Sequence, residues 1–317
     1  MIYEKNAEES LKNTVFPQTK KDDFENFWSE TIDFLRSKEL KISRKKLDLP
    51  YDKTFITYEV QYSTHDDTVV SALYSVPNDG KSKHPCVVYF HGGGEKKEIH
   101  PDIVATGVCC FAIDVRSQEG TTVDKAIYNS GDIMGGIMTR GVLDKNEFYM
   151  RNIYMDAVRA VDVVASFSEV DSGKIVTYGG SQGGALSITA AALNDKVSKC
   201  FTAVTSYCCI PKRVDDGTGV FASTHKFLKA YPEYTDQVMD VLSYFDVNNL
   251  ASLLSVPAEF CIALSDEICY PKYVYSAYEH CNSEKELVMV PYAPHCIPYS
   301  FKMKVFTEFA KMAEEVK

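Results

Sequence analysis

Six short, almost unbroken apolar runs, set between longer stretches with helical spacing, constrain this chain more than any other feature. They are Cys86 to Phe90, Val108 to Ile113, Lys174 to Tyr178, Lys199 to Val204, Ala258 to Leu264 and Leu287 to Val290. A strand apolar on both sides must be covered on both faces, and strands that alternate with helices return in parallel. The pattern predicts an α/β fold: a mostly parallel central sheet flanked by helices near Ile153 to Ser166, Gln182 to Leu193, Tyr273 to Cys281 and Ser300 to Glu315.

The periphery follows from the same reading. Phe24, Phe27, Trp28, Ile32, Phe34 and Leu35 recur near helical spacing. They make the chain to about Leu40 helical, within an N-terminal helical extension over 1–45. Phe55 to Tyr62 and Thr68 to Val76 are rich in β-branched and aromatic residues and are joined by a short polar turn, as in a hairpin at one edge of the sheet. The stretch from about 206 to 251 is too long for a simple crossover and carries helical patterns, so it is read as an insertion over the sheet edge. No repeat or low-complexity linker divides the chain, and 1–317 is read as one domain.

The formal net charge of -10 argues against nucleic acid and anionic membranes, which require clustered Lys and Arg, and favours a neutral substrate. No apolar run reaches the roughly 20 residues of a membrane span. The first residues lack the basic-then-apolar layout of a secretory leader, so a cytoplasmic protein is expected. Most of the ten cysteines lie in apolar runs, where they act as small hydrophobes, and none forms a metal-binding CxxC pair.

The chemistry is concentrated where Lys174 to Tyr178 runs into Gly179-Gly180-Ser181-Gln182-Gly183-Gly184 and a helix-forming segment. GxSxG between strand and helix is a nucleophile turn: its glycines permit close backbone approach and leave the Ser181 hydroxyl exposed at the sheet edge. A serine needs a base to take its proton. Of the three histidines downstream, His225 falls in the insertion and His280 near a helix end, whereas His295 follows the Leu287 to Val290 strand in a loop. The base needs a carboxylate partner. Asp266, directly after a strand end, is the candidate, with neighbouring Glu267 as the alternative. Oxyanion donors are expected from the backbone N–H of Gln182 and of Gly93, the latter in His91-Gly92-Gly93-Gly94, which resembles the HGGG loop of lipases and esterases. His91 itself is expected to brace that loop.

These motifs, together with Asp114-Val115-Arg116-Ser117-Gln118, Arg140-Gly141-Val142-Leu143-Asp144, Arg151 with Asp156-Ala157-Val158-Arg159-Ala160, and Leu242-Ser243-Tyr244-Phe245-Asp246, extend over nearly the whole chain. They resemble the acetyl xylan esterase and cephalosporin C deacetylase group, carbohydrate esterase family seven. The resemblance implies an α/β-hydrolase fold and a Ser181, His295, Asp266 triad without cofactor or metal. It also implies deacetylation of short acetylated sugars such as xylooligosaccharides, and of related esters such as cephalosporin C. It further implies a homo-oligomer, commonly a hexamer, with Arg116 and Gln118 as structural supports. Another small-acyl hydrolase, a thioesterase, a peptidase or a silent binding protein on the same fold are the competing expectations. The chain departs from the family at Gly93, where Tyr is usual, and at Ser117, which replaces a glycine. Further departures are Cys296 in place of glutamate beside His295, and Tyr270 with Lys272 in a segment that is usually proline-rich. The departures bear on substrate preference.

Overall fold

The apolar runs pair with one another along their lengths. The computed structural model describes residues 7, 9–50, 53–130 and 135–316, and in it nine strands form one sheet in the order β1-β2-β3-β5-β4-β6-β7-β8-β9. The strands are β1 Ile42–Lys46, β2 Phe55–Ser63, β3 Val69–Pro77, β4 His84–Phe90, β5 Cys109–Ile113, β6 Val170–Gly180, β7 Val197–Ala203, β8 Ala258–Ala263 and β9 Lys285–Val290. Every neighbouring pair from β5 to β9 is parallel. The pairs β1 with β2, β2 with β3, and β3 with β5 are antiparallel.

Helices cover both faces. In chain order they are α1 Phe24–Ser37, α2 Pro101–Val104, α3 Tyr149–Ala165, α4 Gln182–Leu193, α5 Ile210–Asp216, α6 Ala222–Ala230, α7 Thr235–Ser243, α8 Val247–Ala251, α9 Pro271–His280 and α10 Tyr299–Glu314. Because successive strand side chains point to opposite faces, Cys86, Val88 and Ile175 join a core with α3 and α4. Val87, Val176 and Tyr178 turn the other way and pack with Phe301, Val305 and Phe309 of α10. The sheet therefore has two apolar cores, which is why its central strands read as continuous hydrophobic runs.

The N-terminal expectation needs correction. Helix α1 ends at Ser37, and residues 42–46 form an edge strand instead of continuing a helical extension. That strand, Ile-Ser-Arg-Lys-Lys, is mostly exposed and carries no apolar alternation, so nothing in its pattern marks it. Cationic side chains on an exposed edge also oppose pairing with another sheet. The hairpin of β2 and β3 consequently sits one strand in from the edge, paired Ser63 with Val69 at its turn. Residues 1–6 and 8 of the expected extension lie outside the described residues.

Between β7 and β8, residues 206–251 contain α5 to α8. Helix α1 packs against this segment: buried Trp28 donates its indole N–H to the Tyr244 carbonyl at 3.0 Å and meets the Phe245 ring edge-on at 5.7 Å. Among the described residues, no helix is long and apolar enough to cross a membrane.

Candidate active site

Strand β6 ends at Gly180 and α4 begins at Gln182, leaving one residue to reverse the chain. Ser181 takes φ 56° and ψ -122°, a conformation that side-chain-bearing residues avoid. Hydrogen bonds hold it there. Its N–H donates to Ala203 O at 3.0 Å, and its carbonyl accepts from Ser206 N at 3.0 Å. The glycines on either side are required by space: a Cβ at Gly183 would lie 1.9 Å from Phe90 O, and one at Gly179 would lie 2.5 Å from the Gly183 carbonyl carbon.

Strand ends deliver the partners. His295, in the loop after β9, places Nε2 3.0 Å from Ser181 Oγ and Nδ1 2.8 Å from Asp266 Oδ2. Asp266 follows β8, is buried, and accepts from the N–H groups of Ile268 and Cys269 through Oδ1, both at 2.8 Å. Glu267 points into solvent. The other two downstream histidines are engaged elsewhere: His225 bonds Val214 O at 2.8 Å and His280 bonds Phe16 O at 2.7 Å. The hydrogen bond to Asp266 raises the His295 pKa above the ordinary imidazole value, with the Cys269 thiol acting in the same direction.

The loop after β4 supplies backbone donors. Gly92 N–H is bound to Glu95 at 3.0 Å and Gly94 N–H to Gln118 at 3.0 Å, whereas the N–H groups of Gly93 and Gln182 have no acceptor among the described residues. A Cβ at Gly93 would make only ordinary contacts with the Gln182 side chain, at 3.8 and 4.0 Å, so the backbone there has room for a side chain. His91 braces the loop, with Nδ1 at 2.7 Å from Gly92 O and Nε2 accepting from Val115 N at 3.0 Å. Burial lowers its pKa, so the neutral ring keeps one donor and one acceptor.

Gln182 is latched by Gln118, which the family resemblance marks as a structural support, and by Tyr207, which the sequence did not single out. Its amide pairs with the Gln118 amide at 2.8 and 3.1 Å, and its oxygen also accepts from the Tyr207 hydroxyl at 2.8 Å. Arg116 holds the segment carrying Gln118: its fork reaches both oxygens of Asp156 at 2.7 Å, with Asp66 at 2.8 Å and Asp124 at 3.1 Å. Ser117 has φ 59°, the left-handed conformation suited to the glycine it replaces. Its hydroxyl accepts from Arg140 at 2.9 Å, which anchors the loop.

A cavity of about 450 Å³ opens over this arrangement, lined by Gly93, Gln118, Ser181, Gln182, Tyr207, Arg213 and His295 among others. Strand order divides its walls. The loops after β5 and β4 bring Ser117 to Glu119 and Gly92 to Glu95, while the segments after β7 and β8 bring Ser206, Tyr207, Arg213 and Ile268. Metal-binding atom types of Asp266, Cys269 and His295 lie within 4.8 Å of one another, but the Asp266 oxygens are already taken up by His295 and by two backbone N–H groups.

Nucleophile turns of this kind, on a sheet with this strand order, define the α/β-hydrolases. Within that class the chain belongs to the acetyl xylan esterase (AXE1) family, which it matches over residues 7–312. It is 30% identical to an acetyl xylan esterase from Paenibacillus sp. R4, covering 96% of this chain and 98% of that one with a TM-score of 0.89. Acetyl xylan esterase 1 from Thermoanaerobacterium sp. is 26% identical at the same coverage, with a TM-score of 0.88. The acetyl esterase Axe7A of Xylanibacter ruminicola is 25% identical over 287 residues, which cover 88% of this chain. The match spans 64% of the length of Axe7A.

Proposed function

We propose that this chain is a serine esterase that removes acetyl groups from short acetylated sugars of the xylooligosaccharide type and from small acetyl esters such as cephalosporin C. The observation that carries the reading is the continuous hydrogen-bonded series from Ser181 Oγ through His295 to Asp266, opening onto one cavity. The relatives' descriptions as acetyl xylan and acetyl esterases supply the acyl group and the substrate class.

In this reading Ser181 Oγ attacks the ester carbonyl while His295 Nε2 takes its proton and Asp266 stabilises the imidazolium. The N–H groups of Gly93 and Gln182 receive the oxyanion, and the N-terminus of α4 adds a favourable dipole. The imidazolium then returns the proton to the departing alkoxide. Water, deprotonated by the same imidazole, attacks the acetyl-enzyme and releases acetate. No cofactor enters these steps.

Steady-state hydrolysis of p-nitrophenyl acetate and acetylated xylobiose by the wild type and Ser181→Ala tests the proposal. The wild type should cleave both, and the variant should lose roughly 10⁴-fold or more in kcat. Retention of most activity by Ser181→Ala removes Ser181 from the reaction. Cleavage of the activated ester without the sugar leaves the nucleophile in place and rejects the carbohydrate.

A further inference from the structure

Arg213 is the only lysine or arginine among the described residues that line the cavity over Ser181. It lies in α5, whose start is pinned by Asp246: that carboxylate accepts from the N–H of Cys209 at 2.9 Å and of Ile210 at 2.8 Å. The Arg213 side chain belongs to a residue only 6% exposed, and its Nη1 is buried with no hydrogen-bond partner. No carboxylate among the described residues forms an ion pair with it. Asp216, one turn further along α5, instead accepts from the Tyr273 hydroxyl at 2.9 Å. The guanidinium is flanked by the rings of Tyr270 and Tyr273, at 5.3 and 5.8 Å from their centres, and Nη2 lies 3.0 Å from where a Gly219 Cβ would stand.

A guanidinium cannot shed its proton, and aromatic faces replace only part of the solvation that burial removes. Its flat pair of donors matches the two oxygens of a carboxylate. We propose that Arg213 is a substrate-binding residue that takes a carboxylate on the alcohol portion of the acetyl ester. The preferred substrates of the site are then acid-bearing acetyl esters, such as uronosyl-substituted acetylated oligosaccharides. This rests on the esterase reading of the same cavity. The two acidic residues of the cavity, Glu95 and Glu119, belong to the β4 and β5 loops, while Arg213 belongs to the β7 side. An anionic substrate is thereby oriented, acid group towards α5 and acetyl group over Ser181. On this proposal the neutral substrate suggested by the net charge of -10 gives way to an acid-bearing one at Arg213.

Two matched pairs test the assignment: acetylated xylotriose with and without a glucuronosyl branch, and 4-acetoxybenzoate with its methyl ester. For at least one pair the wild type should favour the acid over its neutral partner by about tenfold or more in kcat/KM, the range of a charge-assisted hydrogen bond. In Arg213→Gln that ratio should collapse towards one, mainly through KM. Arg213→Lys, which keeps the charge and loses the fork, should retain part of it, and it carries the test if the Gln variant does not fold. A preference confined to the sugar pair identifies a uronosyl acid, and one confined to the aryl pair a small carboxylic ester. No preference in the wild type, or an unchanged ratio in both variants, overturns the role of Arg213. Failure of the wild type to cleave any of the four overturns the esterase reading itself.

Discussion

Asp266 and His295 couple the proposed chemistry to pH with a definite sign. The hydrogen bond from Asp266 raises the imidazole pKa, and a base must be neutral to act, so activity should fall with acid along a limb centred above the ordinary imidazole value of about 6.5. Asp266→Asn should lower kcat by roughly three to four orders of magnitude and move the remaining limb to lower pH, as read from kcat/KM for p-nitrophenyl acetate across pH. A limb that stays in place would separate Asp266 from the base. The linkage to stability runs the opposite way. A group whose pKa is raised on folding contributes stability fully below its unfolded value, and that contribution is lost as pH rises through the folded value. The protonation state that favours this part of the fold is thus the one in which the base is idle.

At the scale of elements, α1 and the segment between β7 and β8 depend on each other. Trp28 is 1% exposed, packs on Phe27, Tyr154 and Phe245, and donates to Tyr244 O. Trp28→Ala should destabilise the protein by about 3–5 kcal/mol in urea unfolding, because it leaves a cavity and an unpaired buried carbonyl. A loss under about 1 kcal/mol would show that α1 is only a loose cover. The elements most legible in sequence were those buried on both faces. Helix α4 begins and ends where the Ala-rich run predicts, and β4 to β9 each contain or overlap their predicted run, because continuous apolar character leaves a strand between helices no other place. Strand β1 escaped because it is polar and exposed. Ser181, Asp266 and His295 were legible because their order along the chain and their positions after strand ends follow from the sheet. The pairing of Gln118 with Gln182 was not, since it joins side chains 64 residues apart and depends on loop geometry that no local pattern encodes. Arg213 was hidden for the same reason: the rings that flank it, Tyr270 and Tyr273, arrive from beyond β8.

For the whole molecule, cysteine burial gives a direct test. Nine of the ten cysteines are buried free thiols, and Cys296, next to His295, is exposed. A thiol-reactive chromogenic disulfide should therefore label one group quickly in the native protein and all ten after denaturation. Two or more fast thiols in the native protein would contradict the packing around Cys109, Cys110, Cys208 and Cys209. Finally, the division of the cavity by strand order has a consequence for descent. The groups proposed to receive the oxyanion lie in the β4 loop and at the turn itself, before α5 is reached in the chain, while Arg213 lies in the segment that follows β7. On this proposal reading and cutting are written in largely separate stretches of the gene, joined where Ser206 and Tyr207 hold the nucleophile turn, so exchange of the stretch beyond Tyr207, up to residue 251, would change which esters are admitted and leave the bond-breaking groups in place.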